Sequence, residues 1–147
     1  MPFPSLLPSR SRRLRTARCI LHDGERFLLV VHAGGGRHRQ VRWGLPGGHI
    51  DFGEKPEATV RRELREELRL EVGALEEIGD YRYKNAWHRV YFGAAPGPID
   101  WFDKVELLQV GWHSDHEVDA LARAGALHAG YEVDVVRALA PALREAV

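Results

Sequence analysis

The sequence is poor in cysteine, has no net charge and contains no long apolar run. Cys19 is the single cysteine among 147 residues, which excludes an internal disulfide and predicts a reducing, cytoplasmic setting. Lysine plus arginine equals aspartate plus glutamate at 21 each, so no global field attracts the chain to nucleic acid or a membrane surface. No apolar run approaches the roughly 20 residues that cross a bilayer.

What the sequence does contain is enough apolar material for one domain. Hydrophobic residues make up 44% of the chain, which at this length supports a single core. The first residues differ from the rest, because five arginines precede the first acidic residue, Asp23, and prolines interrupt any helix there. We therefore expect a flexible basic segment over residues 1–11 and a single domain over residues 12–147.

Hydrophobic periodicity and turn residues predict strands and helices in alternation. Strands are predicted at 15–22, 27–31, 41–45, 72–80, 81–84, 87–94 and 106–112. Helices are predicted from Pro56 to about residue 68, from about 114 with Ser114 as its cap, and over 132–146 with a break or kink at Pro141. Strands on both sides of one helix, with helices at the end, indicate an α+β layered domain.

Three glutamates lie on one turn of the first predicted helix. At about 100° per residue, Glu63, Glu66 and Glu67 share an arc of about 100°, beside an apolar stripe that begins at Val60. Like charges at the edge of a buried stripe repel one another, and a divalent cation would remove that conflict. The alternative, a solvated helix face with arginine–glutamate pairs, is the usual explanation of an isolated run of this kind.

The spacing around these glutamates resembles the Nudix box, G-x5-E-x7-R-E-U-x-E-E-x-G-U, where U is a bulky aliphatic residue. Gly48 is followed by Glu54 after five residues, and by Arg62-Glu63-Leu64-Arg65-Glu66-Glu67 after seven more. Leu70 fills the last aliphatic position. The late glycine is replaced by Arg69, which brings the turn after the helix into question but removes no metal ligand.

The resemblance implies a mixed β-sheet held between helices, an α/β/α sandwich, and it implies roles for individual residues. Glu66 and Glu67 match the principal metal ligands of the family, and Glu63 matches a third ligand that also serves as a base. The Gly47 carbonyl matches a backbone ligand. The positions that hold the loop and orient the carboxylates are Gly48, Glu54 and Arg62.

The resemblance also implies a further acid a few residues before a downstream aromatic residue, and Glu106 stands six residues before Trp112. We predict Glu106 as an extra ligand or base, with Asp103 and Glu117 as rivals and a solvated loop acid as the alternative for all three. Carboxylate oxygens select hard cations, so Mg²⁺ or Mn²⁺ is expected rather than zinc.

These residues predict attack of metal-activated water on a phosphoanhydride. The resemblance implies the same reaction, hydrolysis of a nucleoside diphosphate linked to another moiety. It also implies a homodimer, because many relatives are dimers. Two alternatives remain: a Nudix-fold module that senses a nucleotide without cutting it, and an RNA 5′-end pyrophosphohydrolase. The RNA hypothesis predicts salt-dependent RNA binding that falls when residues 1–13 are removed.

Substrate contacts are harder to predict. Arg37, Arg39 and Arg42 lie in a polar, glycine-rich stretch that either contacts substrate phosphates or is simply a solvated loop. Trp87 is a candidate for stacking on a base, although its strand spacing favours core packing. His88 follows it in the same strand and is the histidine of greatest interest.

Overall fold

The structure, a computed structural model, describes residues 14–34 and 41–145. The predicted flexible segment at residues 1–11, as well as Arg37 and Arg39, lies outside the described residues. The elements are β1 (Leu14–His22), β2 (Phe27–His32), β3 (Gly47–His49), α1 (Pro56–Leu68), β4 (Glu76–Tyr83), β5 (Ala86–Ala94), β6 (Leu107–His113), α2 (Asp115–Arg123) and α3 (Glu132–Glu145).

The strands form one mixed sheet in the order β4-β5-β1-β2-β6, and β3 pairs with β1 beside this path. The β1–β5 pair is parallel, whereas β1–β3, β1–β2, β2–β6 and β4–β5 are antiparallel. In the β1–β3 pair, Ala17 is opposite Gly48 and Arg18 is opposite Gly47. This register brings the glycine pair of the box against the middle of β1.

Alternating side chains of β1 divide the apolar core between the two faces of the sheet. Ala17, Cys19 and Leu21 pack with α1 residues such as Leu64 in one cluster. Ile20 points the other way and packs in a second cluster with α2 and α3 residues. The sheet therefore lies between helices, and the predicted α+β sandwich is confirmed.

The prediction of a strand at residues 41–45 is wrong. Gly44 exchanges backbone hydrogen bonds with Val30 at 2.7 and 2.8 Å, but the amide of Trp43 donates to Ala126 on a different segment. Neighbouring residues thus bond in different directions, and only isolated bridges form. The strand begins after Pro46, which has no amide to contribute to a ladder.

Two other elements differ from the predictions in detail, whereas the start of α2 does not. The two predicted strands at 72–80 and 81–84 are one strand, β4, with an irregularity between Glu77 and Gly79. α3 continues through Pro141 to Glu145, because a proline near a helix end removes only one interior hydrogen bond. Ser114 caps α2 as predicted and forms a capping box with Glu117.

No helix within residues 14–34 and 41–145 has the length and apolar character that crossing a membrane requires.

The turn after α1 keeps its left-handed geometry although the glycine of the box is replaced by arginine. Arg69 has φ 54° and ψ 39°, and its amide donates to the Arg65 carbonyl at 3.0 Å. The Arg69 guanidinium lies 3.8 Å from the centroid of the Trp101 ring. A cation over an aromatic face offsets part of the strain of a left-handed arginine.

We expect Arg69→Gly to leave the free energy of unfolding within about 0.5 kcal/mol, because relief of strain of about 1 kcal/mol cancels loss of the ring contact. Arg69→Ala keeps the strain and loses the contact, so it should be less stable than Arg69→Gly by about 1 kcal/mol. Urea denaturation of the three proteins measures both differences. An alanine variant as stable as the glycine variant would contradict this account.

Candidate active site

An acidic cavity of about 350 Å³ lies where α1 faces the segment before β6. Five carboxylates line it: Glu63, Glu66, Glu67, Asp103 and Glu106. The structure thus brings Glu106 to the three glutamates of the box, and it brings the rival Asp103 as well. The other rival, Glu117, accepts the Ser114 amide at 2.7 Å and belongs to the cap of α2.

Glu67 is the most enclosed of these carboxylates, with 3% of its surface exposed. Burial, together with the negative charges of Glu63 and Glu106, raises the pKa of Glu67 to about 8. The Gly47 amide donates to Glu67 Oε1 at 3.3 Å and opposes the shift. His32 Nδ1 lies 3.8 Å from Glu67 Oε2. Repulsion and burial therefore concentrate at this carboxylate, where a cation would be most stabilising.

Arg62 holds the loop and the helix together. Its Nε and Nη2 donate to the two oxygens of Glu54 at 2.9 and 3.0 Å, a bidentate pair. Its Nη1 donates to Glu63 at 2.9 Å and to Glu66 at 3.1 Å. Hydrogen bonds from Arg62 and Thr59 lower the pKa of Glu54 to about 2. These contacts are the kind that the predicted structural role of Glu54 and Arg62 requires.

The two glycines of β3 allow backbone to approach side chains closely. A Cβ at Gly48 would lie 2.7 Å from the Glu63 carboxyl, and a Cβ at Gly47, where φ is 138°, would collide with the Ala17 carbonyl oxygen. Only glycine fits these positions without displacement. The Gly47 carbonyl, the predicted backbone ligand, accepts a hydrogen bond from Arg18 Nη1 at 3.2 Å.

The acidic cavity suits a divalent cation in the chemistry of its donors, since hard carboxylate oxygens are the ligands of Mg²⁺ and Mn²⁺. As the side chains stand, no three acidic, histidine or cysteine side chains in the described ranges converge closely enough to hold an ion. Glu63 and Glu66 instead accept hydrogen bonds from Arg62 Nη1. Binding a cation there requires these two carboxylates to turn from the guanidinium towards Glu67.

A second, cationic cavity of about 400 Å³ lies on the other side of β3. Its lining is polar and carries no carboxylate: Arg15, Thr16, Arg18, His49, Tyr83, Lys84, Asn85, Ala86, His88 and His128. Arg18 lines this cavity and donates to His32 Nε2 at 2.9 Å and to the carbonyls of Leu45 and Gly47. Because His32 Nδ1 and the Gly47 amide in turn lie against Glu67, Arg18 links the two cavities. A negatively charged or acceptor-rich group is the chemistry that this cavity favours.

Two imidazoles of the cationic cavity, those of His88 and His128, have lowered pKa values. His88 is buried, and its Nδ1 lies 2.6 Å from the Tyr131 hydroxyl. Burial, followed by the nearby Arg18 charge, lowers the pKa of His88 to about 4, and the same two causes lower the pKa of His128. The Tyr83 ring lies 5.5 Å from His88 and 5.1 Å from His128, centroid to centroid. Together these rings form one wall of the cavity.

Two predicted substrate residues lie elsewhere. Arg42 donates to the Gly125 carbonyl at 2.8 Å and lines a different, smaller cavity. Trp87 is half-buried in β5, opposite Leu14 and Arg82, and is not among the residues that line the cationic cavity.

Sequence reasoning missed Arg18, the residue that connects the two cavities. One signal was available: Arg18 stands between Ala17 and Cys19 in a strand whose neighbours are fully buried. A charged side chain at an inward position of a core strand is unusual unless it is paired. His128 carried no such signal, because only the fold brings the segment before α3 to the start of β1.

Comparison with solved structures places this architecture among Nudix domains. The crystal structure of a MutT Nudix hydrolase from Burkholderia pseudomallei superposes with a TM-score of 0.61 at 23% identity, covering 72% of this chain and 85% of that one. A Nudix hydrolase from Nitrosomonas europaea gives 0.66 at 17% identity, covering 92% and 89%. At these identities the likeness shows the fold.

The chain belongs to the Nudix family: residues 12–132 match the model of the NUDIX domain. It is 30% identical over 98 residues to a Bacillus subtilis protein named "Putative 8-oxo-dGTP diphosphatase", covering 65% of this chain and 62% of that protein. It is 32% identical over 117 residues to "Putative 8-oxo-dGTP diphosphatase 3" of Mycobacterium tuberculosis, covering 74% and 52%. The chain therefore spans between half and two thirds of the length of these relatives.

The buried His88 predicts a loss of stability in mild acid. The unfolded chain binds a proton on this ring below its ordinary pKa of 6.5, whereas the folded protein does not until about pH 4. The free energy of unfolding therefore falls as the pH drops from 6.5 to 4, by at most about 1.4 kcal/mol per pH unit from this group. We expect His88→Gln to show a shallower decline in urea denaturation over this range. Equal slopes in the two proteins would rule out His88 as the source.

Proposed function

We propose that this chain is a divalent-metal-dependent hydrolase that cleaves the phosphoanhydride bond of a nucleoside diphosphate linked to another moiety. The observation that carries the proposal is the acidic cavity, which is lined by Glu63, Glu66, Glu67 and Glu106 together with Asp103. The adjoining cationic cavity offers space for the rest of the substrate. The names of the curated relatives favour a nucleoside triphosphate, in which the second moiety is phosphate.

Glu63, Glu66 and Glu67 would hold the cation, Mg²⁺ or Mn²⁺, with the Gly47 carbonyl as a backbone ligand. The cation would activate water and neutralise charge that develops on the phosphoryl group. Arg62 and Glu54 orient the carboxylates, and the Arg62 hydrogen bonds to Glu63 and Glu66 hold those side chains until substrate and cation arrive. Gly48 lets the backbone pass close to Glu63.

Glu106 is the better candidate for a base than Asp103. The Asp103 carboxylate accepts the Val105 amide at 2.9 Å and thereby stabilises its own turn. The Glu106 carboxylate lines the same cavity as Glu67, and its charge makes a small contribution to the raised pKa of Glu67. A base must lie within reach of the attacking water, and the common cavity meets that condition.

The alternatives fare differently. A nucleotide sensor that does not cut its ligand has no need of the complete set of box glutamates, which this chain retains. An RNA 5′-end pyrophosphohydrolase would use the same chemistry, and its proposed phosphate contacts fall on residues 1–13, outside the described residues. Salt-dependent RNA affinity that persists after removal of those residues would count against it.

Product analysis on a substrate panel tests the function. The panel should hold 8-oxo-dGTP and dGTP, a sugar nucleotide, a dinucleoside polyphosphate and a dinucleotide coenzyme, each with Mg²⁺ and with Mn²⁺. We expect a nucleotide product from at least one class, and none when the cation is chelated. Tight binding of a panel member without any cleavage would support the sensor alternative and overturn the proposal.

Glu67→Gln should lower turnover by orders of magnitude, because it removes a ligand charge with little change of shape. The fold should survive, since a neutral amide is better suited to this buried position than a carboxylate. Glu57→Gln is the matched control: it lies on the same helix but is exposed and pairs with Arg61. Near-normal turnover of Glu67→Gln at saturating Mg²⁺ would contradict the proposed mechanism.

Glu106→Gln and Asp103→Asn separate the two acids of the segment before β6. Loss of a general base typically costs about 10²- to 10⁴-fold in turnover, so we expect Glu106→Gln to fall in that range. Asp103→Asn should lose much less, since an amide oxygen can still accept the Val105 amide. Steady-state kinetics at several pH values gives both numbers. The reverse order of effects would assign the base to Asp103.

A further inference from the structure

The proposed hydrolysis assigns no role to the positive charges at the mouth of the cationic cavity, those of Arg15 and Lys84. Arg18, inside the cavity, is engaged by His32 and two carbonyls, whereas Arg15 and Lys84 are exposed at its rim. No carboxylate in the described part of the chain forms an ion pair with Arg15 or Lys84. Both side chains donate hydrogen bonds and accept none. The rim therefore offers donors to whatever enters.

The backbone at Lys84 is held in an unusual conformation. Lys84 and Asn85 form the two-residue connection between β4 and β5, since Tyr83 pairs with Ala86. The φ of Lys84 is 55°, a region in which hairpin turns normally place glycine or asparagine. Outliers of this kind cluster at functional sites. Here the turn sets the Lys84 ammonium 5.3 Å from the centroid of the Tyr83 ring, at the edge of the aromatic wall.

The wall itself suits a flat heterocycle. The rings of Tyr83, His128 and the largely buried His88 border a space of about 400 Å³, which is within the usual size of small-molecule sites. Aromatic faces stack on any base and so give affinity without selecting its identity. Selection must come from the polar groups around a stacked ring, and Arg15 and Lys84 are the exposed charged residues that line the cavity.

We propose that Arg15 and Lys84 make the cationic cavity selective for nucleobases that present carbonyl oxygens over bases that present an amino group. A carbonyl oxygen accepts from the ammonium or guanidinium, whereas an exocyclic amino group would direct its own donors at them. The inference rests on the proposed function, because it assigns the cavity to the base of that substrate.

Paired nucleoside monophosphates isolate the effect. UMP and CMP differ at one edge of the ring, as do IMP and AMP: in each pair the carbonyl becomes an amino group, and the neighbouring ring N–H becomes an acceptor nitrogen. Isothermal titration of the full chain without added metal should show UMP and IMP binding about 3- to 10-fold more tightly than their partners, the range of one hydrogen bond. Equal affinities, a preference for CMP and AMP, or no binding of any of the four would overturn the proposal.

Substitutions show which residues cause the preference for UMP and IMP. Glutamine both donates and accepts, so in Lys84→Gln the ratio of affinities within each nucleotide pair should fall towards one, and Lys84→Arg should restore it. Arg15→Gln should reduce it as well. Arg123→Gln removes one exposed positive charge from the end of α2, away from the cavity, and should leave the preference unchanged. A preference that survives in Lys84→Gln combined with Arg15→Gln would show that other groups select the base.

Hydrolysis of the matching triphosphates separates this proposal from the proposed function. Cleavage of UTP and CTP at equal kcat/KM would overturn the base preference while leaving the hydrolase intact. A binding preference for UMP and IMP without cleavage of any phosphoanhydride on the panel would overturn the proposed hydrolase function and leave the base preference standing.

Discussion

Repulsion among carboxylates on one helical turn is the constraint around which this domain is organised. Glu63, Glu66 and Glu67 are held together by the fold, and Arg62 offsets the resulting repulsion through bonds to Glu63, Glu66 and Glu54. Because Glu54 lies in the loop before α1, the same guanidinium also fixes that loop to the helix. Charge compensation and loop geometry thus depend on a single side chain, and Glu67, which it does not reach, bears the largest pKa shift among them.

The short strand β3 separates two opposite electrostatic environments. Gly48 faces the carboxylate of Glu63, whereas His49, the next residue, lines the cationic cavity. Arg18 spans the boundary, since it donates to the Gly47 carbonyl while the Gly47 amide donates to Glu67. A substrate with a charged phosphate chain and a heterocycle needs both environments side by side. The thinness of a glycine strand allows them to be that close.

Much of the acidic side of the molecule was predictable from the sequence. The helix from Pro56 and its end near Leu68 follow from local periodicity and motif spacing, whereas Glu106 was expected only from the family resemblance, with Asp103 and Glu117 as rivals. The cationic side was not predictable, because Arg18, His88 and His128 come from three distant segments and have no common spacing. The strand expected at 41–45 failed for a related reason: its residues bond to Val30 and Ala126, partners that only the tertiary structure supplies.

The acidic and cationic sides of β3 also differ in how freely their residues can be substituted. The acidic half is constrained by backbone, since glycines at 47 and 48 leave no room for another side chain. Much of the cationic half is built from side chains on the β4–β5 hairpin and the segment before α3, which replacement alters without disturbing the helix that bears the glutamates. A lineage that carries this domain can therefore diverge in the molecules it recognises while inheriting its chemistry unaltered.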